Sequence, residues 1–337
     1  MSTPQVTILL PVLNAAATLP ETLDSLLTQT FTDFELLVID DGSTDDTPEI
    51  LAAAADPRLR VLRNPERLKL AGALNRGLDE ARAPLIARMD ADDIARPERL
   101  ARQVDFLAKH PKIALCGSFT RHFGAKEKAR ETYPVQAEDI RAFSLFNCPF
   151  AHPTVMFRAE VFKQHDLRYD GAYYPTEDYE LWTRVVHRHP CANHPEVLLD
   201  YRVHEKSMTG SDWENMDFQA RRLMQNQFAA LGVPCTEAQS KINRDIGMAR
   251  VPCVELPAAR DWLAGLLDRN QKTPFCPAVA LEQEIRERWF HVCMNARGPG
   301  PNRAALYASP EIWKGTKPPL SRTLLLKASI LRASVRG

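Results

Sequence analysis

Three carboxylates crowd into four positions of the chain, at Asp90, Asp92 and Asp93. They follow the apolar run at 83–87, which predicts a short buried strand. Acids at the C-terminal end of such a strand face the crevice where open α/β sheets bind ligands. Because like charges packed this closely repel one another, a divalent cation would hold them ionised, and such a cation suggests a phosphate ligand. The alternative is an acidic, solvated loop that caps a helix beginning at Pro97.

The strands and helices that would position these acids alternate along the first part of the chain. Hydrophobic patterning predicts four strands, at 6–10, 34–39, 58–63 and 83–87. We expect Pro11 to stop the first strand, a capping box at 18–21 to open the first helix, and a second helix to cover 47–55. Repeats of this kind predict an α/β fold with a doubly wound, mostly parallel sheet that binds ligands at the C-terminal ends of its strands.

The glycine-rich loops that usually hold nucleotides in such sheets do not occur in this sequence. No G-x-G-x-x-G follows the first strand, and no G-x-x-x-x-G-K-[ST] occurs anywhere in the chain. Dinucleotide-dependent dehydrogenases and P-loop NTPases are therefore excluded. If phosphates bind here, a metal must neutralise them in place of a glycine-rich loop.

Composition and charge give expectations about the compartment and the partners. The sequence has no apolar run of about eighteen residues and no signal-peptide pattern, which predicts a cytoplasmic protein. Its seven scattered cysteines form no C-x-x-C pair, so we expect reduced, mostly buried thiols. The net charge is zero, but residues 285–337 carry ten Lys and Arg against two Glu. A basic tail of this kind favours an anionic surface, either a membrane or a nucleic acid.

Seven segments, taken together, resemble family 2 glycosyltransferases of the GT-A fold. They stand in the family's order: VTILLPVLN at 6–14, a segment at 26–34 containing Gln29-Thr30-Phe31, IDDGST at 39–44, ARMDADD at 87–93 with PERL after it, HPTVMFR at 152–158, EDYELW at 177–182 and YRVHEKS at 201–207. The resemblance covers about residues 3–207. It implies transfer of a sugar from a nucleotide diphosphate sugar, with a UDP-sugar as the expected donor, to a hydroxyl of a glycan or lipid-linked acceptor, with inversion and with Mn²⁺ or Mg²⁺.

The resemblance also implies roles for individual residues. Asp90 and Asp92 match the D-x-D motif, with Asp92 as the direct metal ligand, and His204 falls where some members use a histidine on the metal or diphosphate. Asp178 matches the catalytic base, with Glu177 beside it and His152 as candidates on the acceptor side. The remaining nucleotide-binding candidates are Pro11, Leu13, Asp41 and Lys69.

Elementary chemistry agrees with these roles. Loss of a nucleoside diphosphate leaves negative charge on a phosphate oxygen, which a cation stabilises, while the attacking hydroxyl must give its proton to a base. Asp178 precedes a predicted helix whose apolar face includes Leu181, Trp182 and Val185, and the helix dipole would tend to keep the carboxylate ionised.

Several of these residues also have a purely structural interpretation. Glu177 and Asp178 could be a plain helix cap, and Asp40-Asp41 could form an Asx turn ahead of Gly42. His152, which precedes Pro153, could be a packed structural histidine. Lys69 could be a solvated helix residue.

The domain organisation follows from a change of pattern after residue 207. We predict a GT-A domain at 1–209, with a nucleotide-binding half at about 1–110 and an acceptor half at about 111–209, and a mostly helical region at 210–337. Leucines after Pro319 alternate with basic residues and predict an amphipathic helix. Such a helix suits peripheral contact with the inner face of the cytoplasmic membrane, whereas the alternative is an ordinary helix packed on the catalytic domain. No nucleic-acid partner is expected.

The predicted function is glycosyl transfer in assembly of bacterial surface polysaccharide or lipopolysaccharide. The Q-x-x-R-W motif of processive synthases is absent from the sequence, which favours non-processive transfer. One alternative is a catalytically silent GT-A module that binds a nucleotide sugar beside a partner enzyme. A second alternative, a sugar-phosphate nucleotidylyltransferase, needs a glycine-rich loop after the first strand, where this chain has Pro11-Val12-Leu13-Asn14.

Overall fold

The protein divides into two compact units. The computed structural model describes residues 3–125, 127–204, 212–298 and 300–335. The first unit comprises Met1–Ile140 with Cys148–Met216, and the second comprises Arg141–Asn147 with Asp217–Gly337. The predicted domain boundary between residues 209 and 210 lies outside the described residues and stays a prediction.

The strands and helices of the described residues alternate at first and become helical later. The strands are β1 Val6–Val12, β2 Phe34–Asp40, β3 Leu59–Arg63, β4 Leu85–Arg88, β5 Ile94–Ala95, β6 Leu115–Gly124, β7 Lys128–Glu131, β8 Met156–Arg158 and β9 Cys191–Val203. The helices are α1 Leu19–Leu27, α2 Thr47–Ala53, α3 Lys69–Glu80, α4 Arg99–Lys109, α5 Ala137–Phe143, α6 Ala159–Gln164, α7 Glu177–Val186, α8 Trp213–Ala230, α9 Glu237–Gly247, α10 Leu256–Lys272, α11 Ala278–Asn295, α12 Arg303–Tyr307, α13 Pro310–Trp313 and α14 Leu320–Val335.

The strands of the first unit form one mixed, mostly parallel sheet, as predicted. Its order is β3-β2-β1-β4-β8-β6-β9-β5, with β7 paired to β6. Neighbours run parallel from β3 through β4 and again between β6 and β9, whereas β8 is antiparallel to both of its neighbours. The C-terminal ends of β1, β2 and β4 therefore meet at one edge, which is where the acids follow β4.

Apolar side chains cover both faces of this sheet. On β1, Val6, Ile8 and Leu10 pack with α1 and α4 in one cluster, whereas Leu9 points to the other face and packs with α3. Burial on both faces is the reason that the strands read as continuous apolar runs rather than as alternating ones.

The prediction that Pro11 stops the first strand is wrong. β1 continues to Val12, with Pro11 opposite Ile39 of β2. The carbonyl of Leu9 accepts the backbone N–H of Met89, so Leu9 directs its backbone polar groups toward β4. Backbone direction alternates along a strand, so the ring nitrogen of Pro11, two residues on, faces the same side. The pairing of β1 with β4 has already ended at that point. Proline is tolerated there because no ladder hydrogen bond is lost.

A predicted capping box and a predicted helix start are also wrong, and both differences concern the acidic loop. The first helix does begin at Leu19, directly after Thr18, as predicted. The hydroxyl of Thr18 donates to the carbonyl of Ala91 at 2.9 Å instead of capping α1, so no capping box forms there. The helix predicted to begin at Pro97 begins at Arg99, because the Pro97 carbonyl accepts the backbone N–H of Thr30. Both contacts tie α1 and the chain that follows it to the segment that carries the acids.

The second unit is helical, as predicted for the C-terminal region. Its core contains Trp262, Trp289 and Tyr307, and α14 packs on it through Leu326, which is fully buried, and Ile330. Across the described residues, none of the helices combines the length and the apolar character needed to cross a membrane.

Candidate active site

The acidic loop is held in place from two sides. It lies between β4 and β5, and β5 is itself paired to β9. The hydroxyls of Thr18, directly ahead of α1, and of Thr22 on α1 donate to the carbonyls of Ala91 and Asp93, each at 2.9 Å. From the β9 side, the Arg202 guanidinium donates to the carbonyl of Asp92 at 2.7 Å. These contacts fix the backbone, so the acids cannot move apart to relieve their repulsion.

The three acids converge as the spacing predicted. One carboxylate oxygen from each of Asp90, Asp92 and Asp93 lies within 4.8 Å of the others. Asp93 is fully buried; its Oδ1 accepts the backbone N–H of Arg202 at 2.7 Å, and its Oδ2 has no hydrogen-bond partner among the described residues. Burial, together with the charges of Asp90 and Asp92, raises the pKa of Asp93 well above its ordinary value. Burial and Asp90 likewise raise the pKa of Asp92.

This donor set fits Mg²⁺ or Mn²⁺. Three convergent carboxylates, one with an unpartnered buried oxygen, offer the hard oxygen ligands that these cations prefer. His204, at the end of β9, reaches the same place, with its Nε2 2.9 Å from Oδ2 of Asp92. The sheet thus brings Asp90, Asp92 and His204 together from segments far apart in the chain.

A buried arginine lies beneath the acids. Arg88, the last residue of β4, has 1% of its surface exposed and pairs through Nη1 with Oδ2 of Asp90, while its Nε has no partner among the described residues. Its charge also acts on Asp178, where it favours the ionised carboxylate and opposes part of the rise in pKa that burial causes. Sequence reasoning assigned no role to Arg88. The available signal was a cation at the last position of a buried strand, directly ahead of the acids.

Asp178 and Glu177 occupy the first turn of α7. Oδ1 of Asp178 accepts the backbone N–H of Tyr179 at 2.7 Å. Burial nevertheless raises the pKa of Asp178, and outweighs both this hydrogen bond and Arg88, so the helix terminus alone does not keep the group at its ordinary pKa. Glu177 is 3% exposed, and its Oε2 has no partner among the described residues. Burial, followed by the charge of Asp178, raises the pKa of Glu177 from 4.5 to about 7.

One cleft contains most of the predicted site residues. Its volume is about 970 Å³, and its lining includes Asp90, Asp92, His152, Glu177, Asp178 and His204. His152 is held by Tyr169, whose hydroxyl lies 2.9 Å from its Nε2, and its ring lies 5.9 Å from that of Trp182. Burial lowers the pKa of His152 well below its ordinary value, so this imidazole is neutral.

The other nucleotide-binding candidates lie outside the lining of that cleft, although all of them are described residues. Pro11 and Leu13 are at the C-terminal end of β1, and the exposed Lys69 begins α3. Asp41 follows β2, and its Oδ1 accepts from Asn64 Nδ2 at 2.6 Å and from the backbone N–H of Leu68 at 2.7 Å. Asp40 orders the turn that follows β2, because its Oδ1 accepts the N–H of Ser43, three residues further on, at 2.9 Å.

Glu177 should make the stability of the protein depend on pH. Its pKa is raised in the folded state, so between about pH 4.5 and pH 7 the folded chain keeps a proton that the unfolded chain has lost. The contribution of Glu177 to stability therefore falls as the pH rises through this window, by roughly 3 kcal/mol. Glu177→Gln should reduce the fall by this share, as measured by urea unfolding at several pH values across the window, and the raised pKa values of Asp92, Asp93 and Asp178 account for the fall that remains.

The matched control is Glu98→Gln, which changes an exposed carboxylate and should leave the pH dependence as it is in the wild type. If Glu177→Gln and the wild-type protein lose equal stability across the window, Glu177 is not the titrating group.

Comparisons with known proteins agree with the resemblance found in the sequence. Residues 7–166 match the family model described as glycosyl transferase family 2. The chain is similar to the amylovoran biosynthesis glycosyltransferase AmsE of Erwinia amylovora, with 33% identity over 201 residues that cover 58% of this chain and 73% of the relative. It is also similar to the O-antigen biosynthesis glycosyltransferase WbnJ of Escherichia coli, with 35% identity over 196 residues that cover 55% of this chain and 74% of the relative.

A solved structure confirms the fold class. The chain is similar to residues 1–349 of S. aureus TarS, whose structure was determined in complex with UDP-GlcNAc. The TM-score is 0.59 at 16% sequence identity, over 96% of this chain and 88% of that one, so the likeness concerns the fold alone. AmsE and WbnJ each exceed 30% identity over more than two thirds of their own lengths, and the chain therefore belongs to glycosyl transferase family 2 and, with it, to the glycosyltransferases (EC 2.4).

Proposed function

We propose that this protein transfers a sugar from a nucleotide diphosphate sugar to a hydroxyl of a glycan or lipid-linked acceptor, with inversion at the anomeric carbon. The names of AmsE and WbnJ support a place in assembly of a bacterial surface polysaccharide or O-antigen. The observation that carries the proposal is that one cleft contains both the Asp90–Asp92 acids and Asp178, with the buried charge of Arg88 acting on both groups. The donor we expect is a UDP-sugar.

The donor side of the site is assigned to the edge of the sheet. Asp92, with Asp90 and His204, would hold Mg²⁺ or Mn²⁺, which when bound supplies positive charge against the phosphate oxygens of the donor. The nucleoside is assigned to the ends of β1 and β2 and the start of α3, the region of Pro11, Leu13, Asp41 and Lys69. The hydrogen bonds of Asp41 to Asn64 and Leu68 already order that region.

Asp178 is the proposed general base. As the acceptor oxygen attacks the anomeric carbon, the carboxylate of Asp178 takes the hydroxyl proton, and the bond from that carbon to the diphosphate oxygen breaks with its electron pair on the leaving group. Attack from the face opposite the leaving group inverts the anomeric configuration. The raised pKa of Asp178 makes this carboxylate a stronger base than an ordinary aspartate, while Arg88 keeps its ionised form accessible.

Asp178→Asn tests this assignment. The amide keeps the shape of the side chain but cannot take a proton, so transfer should fall by about 10²- to 10⁴-fold. Nucleotide binding should be unchanged, because Asp178 is not assigned to the donor side. The measurements are release of UDP from a UDP-sugar in the presence of acceptor, and the shift of the thermal unfolding midpoint that UDP produces with Mg²⁺.

Asp166→Asn is the matched control. Asp166 is highly exposed and has a positive φ of 48°, a conformation that asparagine tolerates well. This variant should keep both activity and nucleotide binding. Full activity in Asp178→Asn would contradict the role of Asp178 as base.

Peripheral contact with the inner face of the cytoplasmic membrane is proposed for α14. This helix packs inward through Leu326 and Ile330 and leaves four leucines exposed, namely Leu320, Leu324, Leu325 and Leu331. Leu320, Leu324 and Leu331 share one face at helical spacing, and the exposed Lys327 lies on the same face. Exposed leucines with a cation beside them suit an anionic lipid surface.

Not every basic residue of the predicted amphipathic helix supports this contact. Arg322 packs inward, with Nη2 2.6 Å from Oε2 of Glu287 and its guanidinium over the ring of Phe290. Arg336 lies outside the described residues. The attraction to lipid should therefore depend on the leucines more than on Arg322.

Co-sedimentation with phosphatidylglycerol-containing vesicles tests the membrane contact. The triple change Leu320→Gln, Leu324→Gln and Leu331→Gln should reduce binding at least tenfold, because it removes the apolar face and keeps every charge. Val254→Gln with Val279→Gln, which changes two equally exposed residues of the same unit, should leave binding unchanged. Equal binding by the triple variant and the wild type, or failure of the wild type to bind, would contradict the contact.

A further inference from the structure

Three adjacent strands present polar and aromatic side chains to the cleft that the proposed reaction does not use. On β6, the alternate residues Thr120 and His122 face the cleft, β9 contributes Tyr201, and β7 adds Glu131 at its end. We call the group formed by His122, Glu131 and Tyr201 the strand platform. Each of the three lines the same cleft as Asp90 and Asp178.

The members of the strand platform contact one another. His122 and Tyr201 are opposite each other in the parallel register of β6 and β9, and their ring centroids are 5.3 Å apart. Nε2 of His122 lies 2.9 Å from Oε2 of Glu131, and 21% and 31% of these two side chains remain exposed. The groups are thus ordered by the sheet and by one another, and they still present surface to a ligand.

This combination of groups suits a pyranose. An aromatic ring packs against the apolar C–H face of a sugar, while a carboxylate and an imidazole together accept from and donate to its hydroxyls. The carboxylate of Glu131 would repel the diphosphate of the donor, which argues against binding of phosphate here. The strand platform therefore favours an uncharged sugar ring over a nucleotide.

The strand platform and Asp178, the proposed base, are connected by residues that line the same cleft. Tyr133 and Cys148 line the same cleft as the strand platform. The thiol of Cys148 in turn lies 3.9 Å from Oδ2 of Asp178. The cleft lining is therefore continuous from the strand platform to the carboxylate of Asp178, which must contact the acceptor hydroxyl.

We propose that His122, Glu131 and Tyr201 form the subsite that holds the acceptor's pyranose ring, and so select a hydroxyl-rich, uncharged acceptor sugar. This inference rests on the proposed function, since an acceptor subsite has meaning only in a transferase. The three residues bind and orient the acceptor, and Asp178 performs the proton transfer.

The test uses the full chain saturated with UDP and Mg²⁺ and a panel of methyl pyranosides as probes. Saturation-transfer-difference NMR reports binding of each glycoside. The wild type should bind at least one of them, and His122→Ala and Glu131→Gln should each weaken that binding at least tenfold. Donor binding is measured separately, with whichever of UDP-glucose, UDP-galactose or UDP-N-acetylglucosamine the protein hydrolyses. The Michaelis constant for this hydrolysis should change less than twofold in both variants.

A second His–Glu pair provides the matched control. His291 and Glu287 lie 3.0 Å apart on α11 in the second unit, and His291→Ala should alter neither glycoside binding nor donor hydrolysis. Unchanged glycoside binding in His122→Ala, no glycoside binding by the wild type, or a raised Michaelis constant for the donor would each overturn the acceptor subsite. Thermal stabilisation by UDP distinguishes these results from failure of the proposed function. If UDP does not stabilise the protein, the proposed transferase activity is contradicted, and the acceptor subsite is contradicted with it.

Discussion

The buried guanidinium of Arg88 is the interaction on which the site depends. Five carboxyl groups from two distant segments line or lie beneath one cleft, and burial raises the pKa of four of them, Asp92, Asp93, Glu177 and Asp178. Arg88 is buried with them and pairs directly with Asp90. It offsets part of their repulsion, and the buried guanidinium of Arg99 also acts on Asp93 and Asp90, but two guanidinium groups cannot neutralise five acids. The excess negative charge is what makes the cleft receptive to a divalent cation.

The rest of the first unit keeps these charges close together against their repulsion. The hydroxyls of Thr18 and Thr22 donate to carbonyls of the acidic loop, and Arg202 on β9 donates to another carbonyl of this loop from the other side. The same strand carries His204 to Asp92 and Tyr201 to His122, so β9 joins the proposed metal site to the strand platform. A sheet buried on both faces is stiff enough to hold such a cluster, since an acid that moved would have to break backbone pairing.

Local patterns in the sequence predicted those parts of the fold that depend on residues close together in the chain. The apolar runs found β1 to β4, and the D-x-D-D spacing found the acids, because both depend on neighbouring residues. Pro11 and Thr18 were misjudged, since their environments are set by where β4 pairing ends and by a carbonyl distant in sequence. Arg88 was missed although its partner Asp90 stands two positions away. The strand platform had no assigned role because its members meet only through strand pairing. Pairing of β6 with β9 joins residues about eighty positions apart, which no local pattern reveals.

The central claim is that the acids at the end of β4 form a metal-dependent site for a nucleotide diphosphate. The most direct measurement is anomalous diffraction from crystals grown with UDP and Mn²⁺. The account predicts one strong manganese peak within bonding distance of Asp92 and of the UDP phosphates, and no such peak in Asp92→Ala. UDP bound in the cleft with no manganese beside Asp90, Asp92 or His204 would contradict it.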